Sequence, residues 1–313
     1  MTIPDRPIIR SRSNPAVKRL VRLRDNRRRR KAGCFLVDGW RETRRAIESG
    51  LTPSCVYSAF DLDGAEVATL GSDQPDAGQD ESGSSRSLAA RGTNAGLFQL
   101  ETETVEDADA KFVLNASPQV QPVTQDVLRC ISYGQNSRQV VAEFEEPNRS
   151  LETLPLAPDS TVLVLDSIEK PGNIGAVFRS ADAAGVAAVV LTGAAIDLFN
   201  PNAIRSSLGT IFTVPSAVAP RDQLEPFLRK RGFSIFAARV QSSKSLWEVS
   251  LKGAVAVVLG NEATGLGESW SGTREAMIQG IRIPMLGHAD SLNLSVSAAV
   301  IAFEVARRRE SSG

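Results

Sequence analysis

The chain contains few of the residues on which metal and disulfide chemistry depend. Its 313 residues include three cysteines, Cys34, Cys55 and Cys130, and one histidine, His288. The cysteines are odd in number, widely spaced and outside any Cys-x-x-Cys pair, which argues against a disulfide framework and against a zinc site. We therefore expect no bound metal and a reducing compartment.

Long apolar runs are also missing. No stretch approaches the ~18 consecutive apolar residues of a membrane-spanning helix, and the Arg-rich start has no apolar signal core. Hydrophobic residues nevertheless make up 42% of the chain and charged residues 23%, which is typical of a globular protein with a sizeable core. A length of 313 residues favours two domains. We expect a cytoplasmic protein without membrane contact.

The chain has no net charge, but the two signs are segregated along it. Residues 10–31 contain eleven lysines or arginines against the single acid Asp25, whereas residues 61–110 contain twelve acids against two arginines. Consecutive cations repel one another unless an anion neutralises them, so the basic run predicts contact with nucleic-acid phosphates. No aromatic residue interrupts this run, so base stacking is not indicated there. The alternative is a basic face that only keeps the protein soluble. The residues assigned to phosphate contact are Arg27, Arg28, Arg29, Arg30 and Lys31.

Hydrophobic patterning predicts a small α/β domain over residues 1–150. A helix is expected over residues 13–31, with Asn14 and Pro15 at its start. Strands are expected at 34–39, 54–60, 110–116 and 139–146, and two more helices at 40–50 and 123–132. Residues 61–95 are rich in Gly, Ser, Ala and Asp, which cannot bury enough surface to offset their ordering entropy, so they predict a mobile acidic insertion. Residues 147–160 contain three prolines and predict a linker.

Residues 151–313 predict a second domain with a more regular pattern. Apolar segments alternate with helical ones, and the strands are apolar enough to be buried on both faces, which indicates a parallel α/β sheet. Strands are expected at 161–166, 186–193, 210–215, 233–240, 254–260 and 280–285, and helices at 173–185 and 293–309.

Two loops follow predicted strands, at the place where open α/β sheets bind ligands. The first carries Asn173, a candidate helix cap, and Arg179, more than one helical turn later. The second, "GNEATGLG", lacks both the Lys-Ser/Thr pair of a P-loop and the Gly-x-Gly-x-x-Gly spacing of a dinucleotide site. Gly260 admits a ligand close to the backbone, and Glu262 is suited to orient a hydroxyl or an amine. The alternative is that these residues only form turns, caps and solvated surface.

A third loop, "IPMLGHADSLN", precedes the last helix. Ile283 and Met285 flank Pro284 in an extended apolar strip that suits an adenine ring. Ser291 and Asn293 stand at the start of the helix, where backbone N–H groups are free, so they can cap the helix, bind a ligand or do both. We interpret His288 as an incidental loop residue.

In this order the three loops resemble the SpoU branch of the SPOUT RNA methyltransferases. "NIGAVFR" resembles the first motif of that family, "VLGNEATGLGE" the second and "IPMLGHADSLNLSVSAAVIAFE" the third. The resemblance covers about residues 160–309. The start of the chain, from "SNPAVKRL" through "FLVDG", is more loosely similar to the family's small substrate-binding domain, and the acidic insertion departs from it.

The resemblance implies a trefoil-knotted α/β domain, a homodimer formed through that domain, and transfer of a methyl group from S-adenosylmethionine to a ribose 2′-hydroxyl of RNA. It implies a catalytic set of Asn173, Arg179, Glu262, Ser291 and Asn293. It implies cofactor contacts from Leu259, Gly260, Ile283, Met285 and Leu292.

The chemistry is compatible with this set. A ribose hydroxyl is a poor nucleophile that must be held in place and lose its proton, while the cofactor supplies the electrophile. Arg179 is suited to hold a phosphate and to stabilise alkoxide charge, but a guanidinium is a poor proton acceptor. Ribosomal RNA is the favoured substrate, because the start of the chain resembles an RNA-docking domain. Transfer RNA, methylation of a base nitrogen and a non-catalytic RNA-binding relative are the alternatives.

Overall fold

A computed structural model describes most of the chain and contains two β-sheets. The described residues are 6–59, 105–133, 140–193, 197–241, 243–261, 265–266, 270–271, 278–288 and 290–310. The predicted insertion at 61–95 and Glu262 lie outside them. None of the helices in these ranges is both long and apolar enough to cross a membrane.

The basic start of the chain forms two short helices, α1 (Pro15–Arg22) and α2 (Asn26–Ala32). Asn14 caps α1 through the backbone N–H of Ala16, as its position predicts. The single helix expected over residues 13–31 is wrong, because Asp25 takes an extended conformation and caps α2 through Arg28. Val17 and Leu20 are buried, so one face of α1 packs against the core.

Four strands form the first sheet, in the order β1-β4-β2-β3: β1 (Cys34–Asp38), β2 (Pro53–Ser58), β3 (Val120–Pro122) and β4 (Val140–Glu145). Strand β4 is antiparallel to both β1 and β2. Three helices accompany the sheet: α3 (Trp40–Glu48), α4 (Val105–Ala116) and α5 (Gln125–Ile131). The strand expected at 110–116 is wrong: the segment is helical, and Asp109, Val113 and Leu114 share one buried face at helical spacing.

Seven parallel strands form the second sheet, in the order β7-β6-β5-β10-β8-β11-β9. This confirms the predicted parallel α/β architecture. The strands are β5 (Thr161–Asp166), β6 (Ala188–Thr192), β7 (Ser216–Val218), β8 (Ser234–Ala238), β9 (Ser243–Ser245), β10 (Val255–Leu259) and β11 (Gln279–Arg282). The helices are α6 (Pro171–Ala183), α7 (Pro201–Ser207), α8 (Thr210–Thr213), α9 (Arg221–Lys230) and α10 (Leu294–Glu310).

One strand prediction in this region is also wrong. Residues 210–213 form α8 instead of a strand, and β7 begins only at Ser216. Gly209, with φ of 89°, turns the chain into this helix, and Thr210, Ile211 and Phe212 are all buried. Strand alternation would have placed successive side chains on opposite faces.

Stacked aromatic rings join the two sheets. Phe35 of β1 stacks on Phe199, from the loop after β6, with ring centroids 4.1 Å apart, and Phe144 and Phe212 stack beside Phe35. Residues of both sheets therefore share one hydrophobic cluster. The segment expected to be a linker contains one 3₁₀ turn, Leu151–Thr153, and its Leu151 and Leu154 pack into the second core cluster beneath β5 and β6.

Candidate active site

The first two motif loops follow two neighbouring strands, β5 and β10, whose carboxyl ends lie side by side. In the β5–β10 pairing Leu165 stands opposite Leu259, so the loops that follow Asp166 and Leu259 start side by side. Both strands are buried hydrophobic runs that fix these starting points in the core. The third motif follows β11, two strands away across β8. Such a carboxyl edge is where open α/β sheets place ligands.

A hydrogen-bond network ties the first loop to the second. The Nδ2 of Asn261 donates to the carbonyl of Ser167 over 3.1 Å, and the Ser167 hydroxyl donates to Asp166 over 2.9 Å. The indole Nε1 of Trp270 donates to the other Asp166 oxygen over 2.6 Å. Ser167 has a φ of 57°, which is rare for a residue with a side chain. The network thus holds the first loop in an unusual backbone conformation.

An amide pair ties the first loop to the third. The Nδ2 of Asn293 donates to Oδ1 of Asn173 over 3.3 Å. The Oδ1 of Asn293 accepts from the backbone N–H and the hydroxyl of Ser295, so the same side chain caps α10. Asn173 is not the predicted cap: α6 begins at Pro171 after Lys170, and Asn173 is its third residue.

The second and third loops surround an open cleft of about 1360 Å³. All five predicted cofactor residues line it, and so do Ser291 and Asn293. These five are Leu259, Gly260, Ile283, Met285 and Leu292. At Gly260 a Cβ would lie 2.5 Å from the carbonyl oxygen of Gly265, so the close approach of the returning loop requires glycine there. The arrangement offers apolar walls, backbone groups and a few hydroxyl and amide side chains, which is how small-molecule sites are usually built.

Comparisons with known proteins bear on the family of this chain. A sequence model of the SpoU rRNA methylase family matches residues 160–303, and one of the MRM3-like substrate binding domain matches residues 14–75. A 23S rRNA (guanosine-2′-O-)-methyltransferase RlmB of Bordetella pertussis is 33% identical over 200 residues, which cover 62% of this chain and 80% of that protein. The chain belongs to the SpoU family.

Two further relatives are similar to this SpoU chain. RlmB of Xanthomonas axonopodis is 38% identical over 149 residues, which cover 47% of this chain and 59% of that protein. A crystal structure of an RNA 2′-O ribose methyltransferase is 30% identical, with a TM-score of 0.72, and the match covers 97% of this chain and 100% of that one. The structural likeness therefore extends over both sheets.

Arg179 differs from the other candidate residues of the SpoU motifs in its surroundings. It is exposed on α6, next to the buried Val177 and Phe178 that anchor the helix in the core. It forms no ion pair with any residue in the described ranges, and it does not line the cleft. His288 is exposed in the third loop.

The basic run behaves differently at one position. Arg27, Arg28, Arg30 and Lys31 are exposed on α2, as phosphate contact requires, but Arg29 is only 3% exposed. Its guanidinium pairs with Asp197 and donates to the carbonyl of Leu23 over 2.6 Å. The assignment of Arg29 to surface phosphate contact is therefore corrected, because this side chain joins α2 to the second sheet.

The described part of the chain offers little for a metal site or for a cysteine nucleophile. It contains no group of three or more His, Cys, Asp or Glu residues placed to hold a metal ion. Burial raises the pKa of the Cys34 thiol to about 11, with Glu143 nearby adding to the effect. Because the thiolate is the reactive form, this cysteine is inert at neutral pH.

Asp166 and Trp270 support the site, as do Ser167 and Asn261, but no role was predicted for any of them from the sequence. Asp166 and Trp270 are 104 positions apart, and neither falls in a recognised motif. A polar residue at the end of a buried strand was the available signal for Asp166. Nothing in the local sequence points to Trp270.

Proposed function

We propose that this protein methylates a ribose 2′-hydroxyl in ribosomal RNA with S-adenosylmethionine as the methyl donor. The observation that carries the proposal is the cleft between the second and third motif loops, to which the Asn261–Ser167 and Asn173–Asn293 contacts join the first loop. Membership of the SpoU family supports the reaction type, and the RlmB relatives, named as 23S rRNA 2′-O-methyltransferases, support the substrate.

The cleft fits the proposed cofactor. Leu259, Ile283 and Leu292 offer apolar contact for an adenine ring, and Gly260 leaves its backbone open to close approach. When bound, S-adenosylmethionine supplies an electrophilic methyl group. The protein's part is to hold and orient the two reactants.

The predicted catalytic residues would act on the RNA. Arg179, exposed and permanently charged, would hold a phosphate next to the target ribose and stabilise negative charge as its hydroxyl loses a proton. Asn173, Ser291 and Asn293 would orient the ribose through amide and hydroxyl groups. Glu262, which lies outside the described residues, would fix Asn173 and Arg179.

The first sheet and its helices would bind the RNA. The domain division we propose is residues 1–150 for RNA binding and residues 151–313 for methyl transfer. Its support is the match of residues 14–75 to a substrate-binding domain and the exposed cations of α2, Arg27, Arg28, Arg30 and Lys31. Phosphate contact of this kind positions the RNA without reading its sequence.

Dimerisation, a trefoil knot and a cytoplasmic location are part of the same proposal. Exposed apolar side chains on and before α10 support a dimer, since Val296 is 46% exposed, Phe303 51% and Leu286 101%. Family membership supports the knot, and the free, buried Cys34 and Cys55 suit a reducing compartment. Sedimentation analysis of the purified protein tests the dimer.

The deciding experiment is incubation with radiolabelled S-adenosylmethionine and total RNA from a strain that lacks the gene, followed by 2′-O-methyl mapping. We expect label in the ribose of one ribosomal RNA nucleotide. Label in transfer RNA would change the substrate, and label in a base would reject the ribose mechanism. Calorimetric titration showing no cofactor binding would instead indicate a non-catalytic RNA-binding protein.

A further inference from the structure

A second cavity lies where the two sheets meet, away from the methyl-transfer cleft. It has a volume of about 280 Å³ and is lined by α2, one residue of β1, the chain just after β4, the loop after β6 and one residue of β7. Its charged lining residues are Arg29, Arg30, Arg149, Asp197 and Glu146. Three arginines thus converge on one small volume.

Arg149 is the unusual member of this group. Its guanidinium lies over the ring of Phe199, 5.1 Å from the centroid, and donates to the hydroxyl of Ser216. Its Nε is buried and has no hydrogen-bond partner, and no carboxylate pairs with it, among the residues that the structure describes. Burial lowers the pKa of Arg149 to about 10, so the side chain is still a cation at neutral pH.

The acids of the cavity do not neutralise this cation. Asp197 is already engaged, because it pairs with Arg29 and accepts from Asn200 Nδ2 over 3.0 Å. Glu146 is exposed to solvent, and its charge offsets only part of the effect of burial on Arg149. A partly desolvated cation without a counter-ion is unfavourable, and a bound anion would remove the penalty.

The cavity adjoins the elements that we expect to contact RNA. Arg30, which lines it, belongs to the exposed basic face of α2. The loop after β6 begins at Gly193, where a Cβ would meet the Ser167 hydroxyl of the first motif loop at 2.2 Å, and it reaches the cavity at Asp197 and Phe199. The cavity therefore lies between α2 and the carboxyl edge of the parallel sheet.

We propose that this cavity binds a phosphodiester group of the substrate RNA, with Arg149 as its principal ligand. A planar guanidinium presents paired N–H donors that match two phosphate oxygens, and Arg30 is placed to add a second cation. Stacking on Phe199 and the bond to Ser216 hold Arg149 in place before RNA arrives. This inference rests on the proposed RNA substrate.

The test is RNA binding by the full-length Arg149→Met variant at several salt concentrations. Loss of one phosphate contact to single-stranded RNA should reduce the slope of log K against log salt by about 0.7. Affinity should fall about tenfold or more, the scale for a hydrogen bond to a charged group. The matched control is Arg231→Met, just after α9 and outside the cavity lining, where Arg231 also stacks on a phenylalanine, 4.6 Å from the Phe227 centroid. That control should keep the wild-type slope.

Further measurements separate this site from a structural role. Cofactor affinity and melting temperature of Arg149→Met should stay close to wild type, because a purely structural arginine would change these and leave the salt slope alone. If Arg149→Met does not fold, Arg149→Lys should keep the slope and still lose affinity, since it retains the charge but not the paired donors. Wild-type RNA affinity in Arg149→Lys would overturn the proposal.

The remaining outcomes are equally decisive. A wild-type slope and affinity in a folded Arg149→Met would overturn the phosphate contact, even with RNA methylation by the wild-type protein intact. Failure of the wild type to bind or methylate RNA would instead overturn the proposed function. If inorganic phosphate at matched ionic strength raises the melting temperature of the wild type alone, and the RNA slopes agree, the cavity binds free phosphate and the RNA assignment is wrong.

Discussion

The carboxylate-paired arginines around the first sheet differ from Arg179 of the first motif in what they contact. Around the first sheet, arginines are paired with carboxylates: Arg19 donates to Glu143 over 2.6 Å, and Arg44 donates to Asp109 over 2.9 Å. At the cleft, the contacts between loops come from neutral amides, hydroxyls and backbone groups, and Arg179 is exposed on α6. The carboxylate-paired arginines therefore stabilise the fold, whereas Arg179, like the exposed arginines of α2, is left for a ligand.

The number of arginines in a segment does not show which of them are structural and which can bind a ligand. The densest basic run of the chain contains Arg29, which is buried and structural, next to exposed arginines that differ from it in nothing but position. The cost of desolvating a cation decides its role, because burial requires a partner and exposure does not.

Arg179→Ala should reduce methyl transfer about 100-fold or more, because it removes one preorganised charge from the reacting centre. Cofactor affinity and melting temperature should stay near wild type, since the exposed side chain forms no ion pair in the described ranges. Single-turnover kinetics with saturating cofactor measure the rate. A normal rate would remove Arg179 from the catalytic set, and a large drop in melting temperature would place it with the structural arginines.

Trp270→Phe should destabilise the protein by about 1–3 kcal/mol, because Asp166 loses a buried donor. Trp270 is fully buried, and its replacement also loosens the loop network around Ser167. Chemical denaturation monitored by circular dichroism gives the free energy of unfolding. Trp247→Phe is the matched control, because Trp247 is 51% exposed and should tolerate the change. Equal effects in the two variants would contradict the role of the Asp166 contact.

Gly260→Ala should weaken S-adenosylmethionine binding about tenfold, the equivalent of ~1.4 kcal/mol. The added Cβ would displace the backbone at Gly265 or the side chain of Leu266, both of which line the cleft. Isothermal titration calorimetry measures the affinity. Gly172→Ala meets no atom within 4 Å and should bind the cofactor normally. Unchanged affinity in Gly260→Ala would show that the cleft adapts to the clash.

The free energy of unfolding should fall by about 1 kcal/mol less in Glu304→Gln than in the wild type when the pH is lowered from 6 to 2.5. Hydrogen bonds from Arg307 and then Arg308 lower the pKa of Glu304 from 4.5 to about 2. A lowered carboxylate pKa adds stability above pH 4.5 that is lost as the pH falls towards 2. Urea unfolding of the wild type and the variant between pH 6 and pH 2.5 measures this difference. If the free energies of unfolding of the two proteins change equally with pH, the Glu304–Arg307–Arg308 cluster does not contribute to stability.

The sequence predicts the motif loops better than the elements between them. Strands such as β5 and β10 are continuous apolar runs, so their ends, and the ligand loops that follow, are well defined. Residues 110–116 and 210–213 are rich in apolar and β-branched side chains but are helical, because burial of one helical face and the turn at Gly209 override local preference.

Contacts between distant residues could not be predicted. The Asp166–Trp270 bond and the Arg29–Asp197 pair join positions 104 and 168 residues apart, and only the folded chain brings them together. Arg149 is likewise unremarkable in sequence, since it lies inside the segment that predicts a linker, with Glu146 and Glu152 close by in the chain. Its unusual environment is formed by Phe199 and Ser216, which belong to the second sheet and its loops.

The side chain of Asn293 explains why the helix-capping position of the third motif is occupied by asparagine. Serine, threonine and aspartate also cap helices well, but each would offer a different set of atoms at this point. The oxygen of Asn293 is committed to the start of α10, and its nitrogen donates to Asn173 at the start of α6. Aspartate would retain the cap and place two acceptors face to face. The donor and the acceptor of one amide thus fasten two helix starts that are 120 positions apart in the chain.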